Sequence, residues 1–271
     1  AGVAEDHLDP VCRAAGVSAR GRRRDGRGQH LDRLAGEGVS GLARVDRAEA
    51  TDLDRRRTGV VVEIGSFKGK SMVGLASLAA HYGFGPVVSI DPHTAPSVTD
   101  PMLGGKASSF DEFMANIRGA GIEQHVEVHR APSRDVARGW NRQIRLLWID
   151  GDHTYAGAKE DFDLFSPYLA DGAIVAFHDT LHEFEGPIRV YVEDILRSNR
   201  FGPAAFFHTI AWAQYRPQDG ARFRAAREQL ARSAAKLIPF VTEGRQVRGL
   251  RKMRFKLRRA LVPHAVLSPA E

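Results

Sequence analysis

Between residues 59 and 216, short apolar runs alternate with stretches whose apolar residues recur every three or four positions. Val60-Val61-Val62-Glu63-Ile64 is rich in β-branched residues and predicts a buried strand ended by Gly65. The spacing then predicts a helix over Lys70–His81, a strand at Val87–Asp91, and a Pro- and Gly-containing loop from Pro92 to Ala107. A helix follows from Ser109, its expected cap, with Asp111 and Glu112 in the first turn. Further strands are expected at His125–His129, Ile144–Asp150 and Ala173–Phe177, and two short ones within Ala205–Tyr215. Helices are expected at Ser133–Trp140, Ala158–Leu169 and Ile188–Arg197. This alternation predicts an α/β fold, a doubly wound, mostly parallel seven-stranded sheet whose ligands bind beyond the carboxyl ends of the strands.

The flanks break the pattern. Residues 1–58 contain no Phe, Trp, Tyr, Ile, Met or Lys, and the Arg- and Gly-rich stretch from Ala19 to Gly28 has little apolar surface to bury. Residues 1–57 are therefore expected to form a poorly ordered arm, 58–216 the folded domain and 217–271 a helical extension. In that extension Val247, Leu250, Met253, Leu257 and Leu261 recur at helical spacing among Lys and Arg, giving a basic amphipathic helix over 245–261. Three roles suit it: packing its stripe on the domain, peripheral contact with an anionic membrane, or homo-oligomer contacts.

Charge follows the same division. The formal charge of +6 is the sum of +2 over residues 1–58, −6 over 59–220, +11 over 221–260 and Glu271. The basic character belongs to the tail, so no nucleic-acid-binding core is implied. Apolar residues at 43% exclude a wholly disordered chain, and no run of roughly 18 apolar residues exists to span a bilayer. A single cysteine, Cys12, excludes an intramolecular disulfide framework. With no apolar segment of signal-peptide type near the start, a cytoplasmic location is expected.

Chemistry begins at Glu63-Ile64-Gly65-Ser66-Phe67-Lys68-Gly69-Lys70-Ser71, between a strand and a helix. A phosphate-cradling loop needs four residues between its glycines, and here there are three, although Gly69-Lys70-Ser71 supplies the second half and keeps a nucleotide-phosphate enzyme as a rival reading. A dinucleotide fingerprint needs glycine where Phe67 stands. The remaining reading is an acidic-x-Gly-x-x-x-Gly loop. A second constellation joins it: Ile149-Asp150-Gly151-Asp152-His153-Thr154-Tyr155 ends the fourth strand, and Phe177-His178-Asp179 the fifth. The fold gathers these carboxylates at one cleft, where such groups hold a cation, share a proton or bind a positive substrate.

Over roughly residues 58–200 this set resembles the class I S-adenosylmethionine-dependent methyltransferases, in particular the subgroup of macrolide-sugar O-methyltransferases and cephalosporin-hydroxylase-like proteins. The resemblance implies a Rossmann-like methyltransferase fold and S-adenosylmethionine held by Glu63, Gly65, Ser66, Gly69, Ser71, Asp91, Ser133 and Asp150. Glu63 would face the cofactor's ammonium group, Asp91 the ribose hydroxyls, and Ala131 to Asp135 the adenine. It implies a divalent cation on Asp150, His178 and Asp179. An imidazole there suits manganese or iron better than magnesium. Asp152, His153 and His178 are the candidate catalytic bases, and the loop from His93 to Lys106 is a candidate lid. The implied reaction is methylation of a hydroxyl on a small molecule, sugar or glycolipid. A non-catalytic protein of the same fold, tethered through its basic C-terminus, is the rival from another class.

Overall fold

A computed structural model of the chain describes residues 59–97, 99, 103–242 and 247–263. All of them lie in one compact unit from Thr58 to Glu271, and the expected arm over 1–57 lies outside the described residues. Five strands run parallel: β1 (Val60–Ile64), β2 (Val87–Ile90), β3 (Val126–His129), β4 (Ile144–Ile149) and β5 (Leu169–Phe177). A hairpin of β6 (Phe201–Phe207) and β7 (Ile210–Tyr215) completes the sheet, β7 antiparallel to both β5 and β6. The strand order is β3-β2-β1-β4-β5-β7-β6, a doubly wound, mostly parallel seven-stranded sheet as the sequence predicts.

The helices that cover the sheet are α1 (Lys70–Tyr82), α2 (Phe110–Gly119), α3 (Ser133–Ala137), α4 (Tyr155–Phe165) and α5 (Glu185–Val190), which continues through a wider turn to Leu196. Apolar residues of β1 and β2 are buried on both faces, which is why the sequence shows near-continuous rather than alternating apolar runs there. Val61 and Val87 pack with Met72, Ala76, Phe113 and Ile117 on one side of the sheet. Val62, Ile64, Val88 and Ile90 join Phe162, Phe165 and Tyr191 on the other.

The C-terminal helices are α6 (Arg224–Ala235), α7 (Ile238–Val241) and α8 (Gly249–Ala260). Leu230, Ala234, Leu237 and Val241 enter the main core, so this segment helps build the domain. Arg227 of α6 is fully buried. Its guanidinium donates to the backbone carbonyls of Leu196, Ser198, Phe201, Gly202 and Gly220, stapling α6 to the edge of the sheet.

The packing reading of the last helix needs correction. Val247, Phe255 and Val262 are buried, whereas Leu250, Met253, Leu257 and Leu261 are 70%, 62%, 65% and 71% exposed. Phe255 meets Phe240 edge to face, and Arg251 donates to the carbonyls of Pro239 and Phe240 at 2.6 and 2.8 Å. These contacts fix the other side of the helix against the domain and turn the periodic stripe outward. Smaller differences are local. A helical turn precedes β3, β5 begins four residues early, and the Ser109 hydroxyl bonds His93 Nδ1 at 3.0 Å instead of capping α2.

Candidate active site

The carboxyl ends of β1, β2, β4 and β5 open onto a cleft of about 630 Å³. It sits where the strand order reverses, beside β1. Gly65, Ser66, Ser71, Asp91, Ser133, Asp150, Asp152, His153, His178 and Asp179 all line it. Glu63 and Gly69 are not among the lining residues.

Gly65 has φ 87°, and a Cβ there would fall 2.2 Å from the Asp150 carbonyl oxygen, so the ends of β1 and β4 approach through the missing side chain. At Gly69, with φ 82°, a Cβ would meet the Phe113 ring at 3.0 Å, so this glycine makes room for α2. Glu63 is fully buried behind the loop, where Ser66 Oγ donates to Oε2 at 2.6 Å and Oε1 has no hydrogen-bond partner. Burial pushes its carboxyl up to about 7 against the pull of the Ser66 and Ser71 hydroxyls.

Asp91 follows β2 and is held from two sides. The Phe67 N–H donates to Oδ2 at 2.7 Å, and the His93 N–H to Oδ1 at 2.5 Å. Each carboxylate oxygen keeps a second lone pair for a ligand. Phe67, His93, Ala95 and Asp179 take left-handed backbone with φ of 43°, 58°, 47° and 53°, and all four line the cleft. Non-glycine residues with such φ are uncommon and concentrate at functional sites.

Opposite Asp91 stands a cluster of two carboxylates and two imidazoles. His178 Nδ1 lies 3.1 Å from Asp150 Oδ1 and 3.2 Å from Asp179 Oδ1. His153 Nε2 lies 3.4 Å from Asp150 Oδ1 and 3.7 Å from Asp179 Oδ2. Burial raises the Asp150 carboxyl, and the neighbouring His153 and His178 more than reverse this, leaving it below the ordinary range. The His153 ring stacks on Phe184 at 4.5 Å between centroids.

Asp152 has a different set of partners from its neighbours. Its Oδ1 accepts from Ser97 Oγ at 2.7 Å, Thr99 Oγ1 at 2.9 Å and the Thr154 N–H at 2.8 Å, and its Oδ2 from Thr154 Oγ1 at 3.0 Å. Four donors hold its charge and keep its pKa low in spite of burial. That is poor chemistry for a base and good chemistry for a latch, because it ties the loop after β2 to the loop after β4.

Three contributors escape the sequence reading. Asp161 is buried, lines the cleft and faces Ser133; burial pushes it up to about 7. Its signal is helical spacing, since Ala158, Phe162 and Phe165 are the other buried residues of its face. Phe184 and the Ser97–Thr99 hydroxyls act through loops and leave no periodic trace.

A family model described as a methyltransferase domain matches residues 62–180, from β1 through the turn after β5. The match covers less than half of the chain. Solved structures similar to it include the O-methyltransferase NovP, at 15% identity over 61% of this chain and 76% of that one, TM-score 0.49. CalS11, a TDP-rhamnose 3'-O-methyltransferase of calicheamicin biosynthesis, is 18% identical over 70% of this chain and 88% of that one, TM-score 0.44. An O-methyltransferase from Bacillus cereus in complex with SAH is 15% identical over 70% and 92%, TM-score 0.44.

Among the described residues one donor set fits a divalent cation, with His153 in the place expected of His178. Ligand atoms of Asp150, His153 and Asp179 lie within 4.8 Å of one another. Both ring nitrogens of His153 are buried and have no hydrogen-bond partner among the described residues. The imidazole sits 3.4 and 3.7 Å from oxygens of the two carboxylates, so the three side chains offer a cation one nitrogen and two oxygen ligands. Two carboxylate oxygens and one imidazole nitrogen suit manganese or iron, and magnesium less well.

Proposed function

We propose that the chain is an S-adenosylmethionine-dependent O-methyltransferase that acts on a hydroxyl of a small molecule, sugar or glycolipid, with a divalent cation at Asp150, His153 and Asp179. The observation that carries this reading is the pairing, across one cleft, of the pinned Asp91 carboxylate with the buried His153 between two carboxylates. The cleft wall is acidic, with Asp91, Asp150, Asp152, Glu160, Asp161 and Asp179 against Lys68, Lys70 and Arg134. That balance favours a cationic sulfonium cofactor and disfavours a nucleoside triphosphate. It weighs against the phosphate reading of Lys70 and Ser71.

Asp91 would hold the ribose hydroxyls with its remaining lone pairs, and Ser133 would lie beside the base. Glu63 acts from behind the loop by fixing Ser66. A cation held by Asp150, His153 and Asp179 would polarise the acceptor hydroxyl and lower its pKa. His178, oriented through Nδ1 by Asp150 and Asp179, receives the hydroxyl proton as the oxygen takes the methyl group. S-adenosylmethionine, when bound, would supply the methyl group, with the carbon–sulfur electron pair left on sulfur.

Calorimetric titration with S-adenosylhomocysteine, with and without manganese and with ATP as control, tests the reading. Binding of the homocysteine compound and not of ATP is expected, as is loss of binding in Asp91→Ala. His178→Asn should keep that binding and lower kcat on an identified acceptor by about 10²-fold or more. Binding of ATP that Lys70→Ala abolishes would overturn the proposal. So would a folded chain that binds neither compound, which points to the non-catalytic rival.

A further inference from the structure

The helix α8 presents to solvent what amphipathic helices of globular proteins hide. Among the described residues seven large apolar side chains are exposed, and four of them, Leu250, Met253, Leu257 and Leu261, form one stripe on or just after this helix. At about 100° per residue the stripe lies on the side away from Phe255, the residue that anchors α8 to the domain. The stripe therefore faces straight out. It is held there by the Arg251 bonds to the Pro239 and Phe240 carbonyls and by the ion pair of Lys252 with Glu183 at 2.8 Å.

The residues beside the stripe select its partner. Helix α8 contains Arg251, Lys252, Arg254, Lys256, Arg258 and Arg259 and no acidic residue. Arg254 and Arg258 border one side of the stripe and Lys256 the other, all three exposed. Their aliphatic stems extend the apolar strip while their charges spread to either side. A second copy docked stripe to stripe would bring these cations against their own counterparts. A nucleic acid would leave the four apolar side chains in water. An anionic phospholipid surface satisfies both halves, with acyl chains for the stripe and headgroups for the cations.

We infer that α8 is a membrane-docking helix that seats the full chain on anionic phospholipid through Leu250, Met253, Leu257 and Leu261. The inference is independent of the methyl-transfer reading, because it rests on residues outside the cleft. Sedimentation of the full chain with vesicles of phosphatidylglycerol and phosphatidylcholine, against phosphatidylcholine alone, tests it. The chain should pellet with the anionic vesicles and stay in solution with the neutral ones. Replacing Leu250, Leu257 and Leu261 together by Ser should weaken partition at least tenfold with the thermal midpoint unchanged, since all three are exposed. Replacing Arg254, Lys256 and Arg258 by Gln should weaken it as well, and 0.5 M salt should do the same. Partition that survives the Ser variant undiminished would overturn the inference, as would absence of partition. So would tighter binding to duplex DNA than to vesicles, or a concentration-dependent dimer that the Ser variant dissolves without any vesicle binding.

Discussion

Glu63 and Asp161 are carboxyls that the fold keeps from water, and both are raised to about 7 by burial. The unfolded chain titrates them near 4.5 and 3.8. Between those values and 7 the folded state holds more protons, so stability is full below the lower value and falls as pH rises toward 7. For Glu63 the loss is about 3 kcal/mol by pH 8. Glu63→Gln removes the charge and keeps an acceptor for Ser66. Its urea midpoint should therefore match the parent at about pH 3 and exceed it at pH 8, with Asp161→Asn behaving likewise. Equal midpoints at pH 8 would show that these groups ionise inside the fold at no cost. Reading by residue type sends Asp161 to solvent, and reading by position places it with Ala158 and Phe162 on the buried face. Glu63 is legible as buried because β1 has no solvent face, but its place behind the loop depends on Ser66 and Ser89, which no local pattern displays.

At the level of elements, periodicity finds every parallel strand and its following helix, because each must bury a face of its own. It fails where an element's partner is distant in sequence. The outward stripe of α8 is the clearest case: the apolar spacing is real, but Phe255 competes for the domain and takes it, since its ring meets Phe240. Arg227 is another, a charged residue in a basic segment that becomes the most enclosed cation of α6. Burial brings its guanidinium down to about 10, so it stays charged at pH 7. Arg227→Met would leave the carbonyls of Leu196, Ser198, Phe201, Gly202 and Gly220 without their donor. A loss of about 3 kcal/mol in chemical denaturation is expected. Arg227→Lys should recover little of it, since one ammonium cannot span that ring of acceptors. A midpoint unchanged by either substitution would mean that water replaces the guanidinium.

Across the whole molecule the sequence separates an acidic part from a basic C-terminal one, and the structure shows that the two share a core through Leu230, Ala234 and Leu237. The cleft itself is assembled by a different principle from that core. Four of its lining residues hold left-handed backbone without being glycine, and one carboxylate, Asp91, pins two of them by their N–H groups. Each such residue costs on the order of 1 kcal/mol that its neighbours must supply. The cleft is therefore expected to unfold as a cooperative unit smaller than the domain. Under rising urea, binding of S-adenosylhomocysteine should disappear before the far-ultraviolet helix signal does, and Asp91→Asn should widen the gap between the two transitions. Coincident transitions would mean that the cleft melts only with the sheet beneath it. If the gap is found, the cleft's working range is narrower than the chain's folded range, and Asp91 helps to set the margin between them.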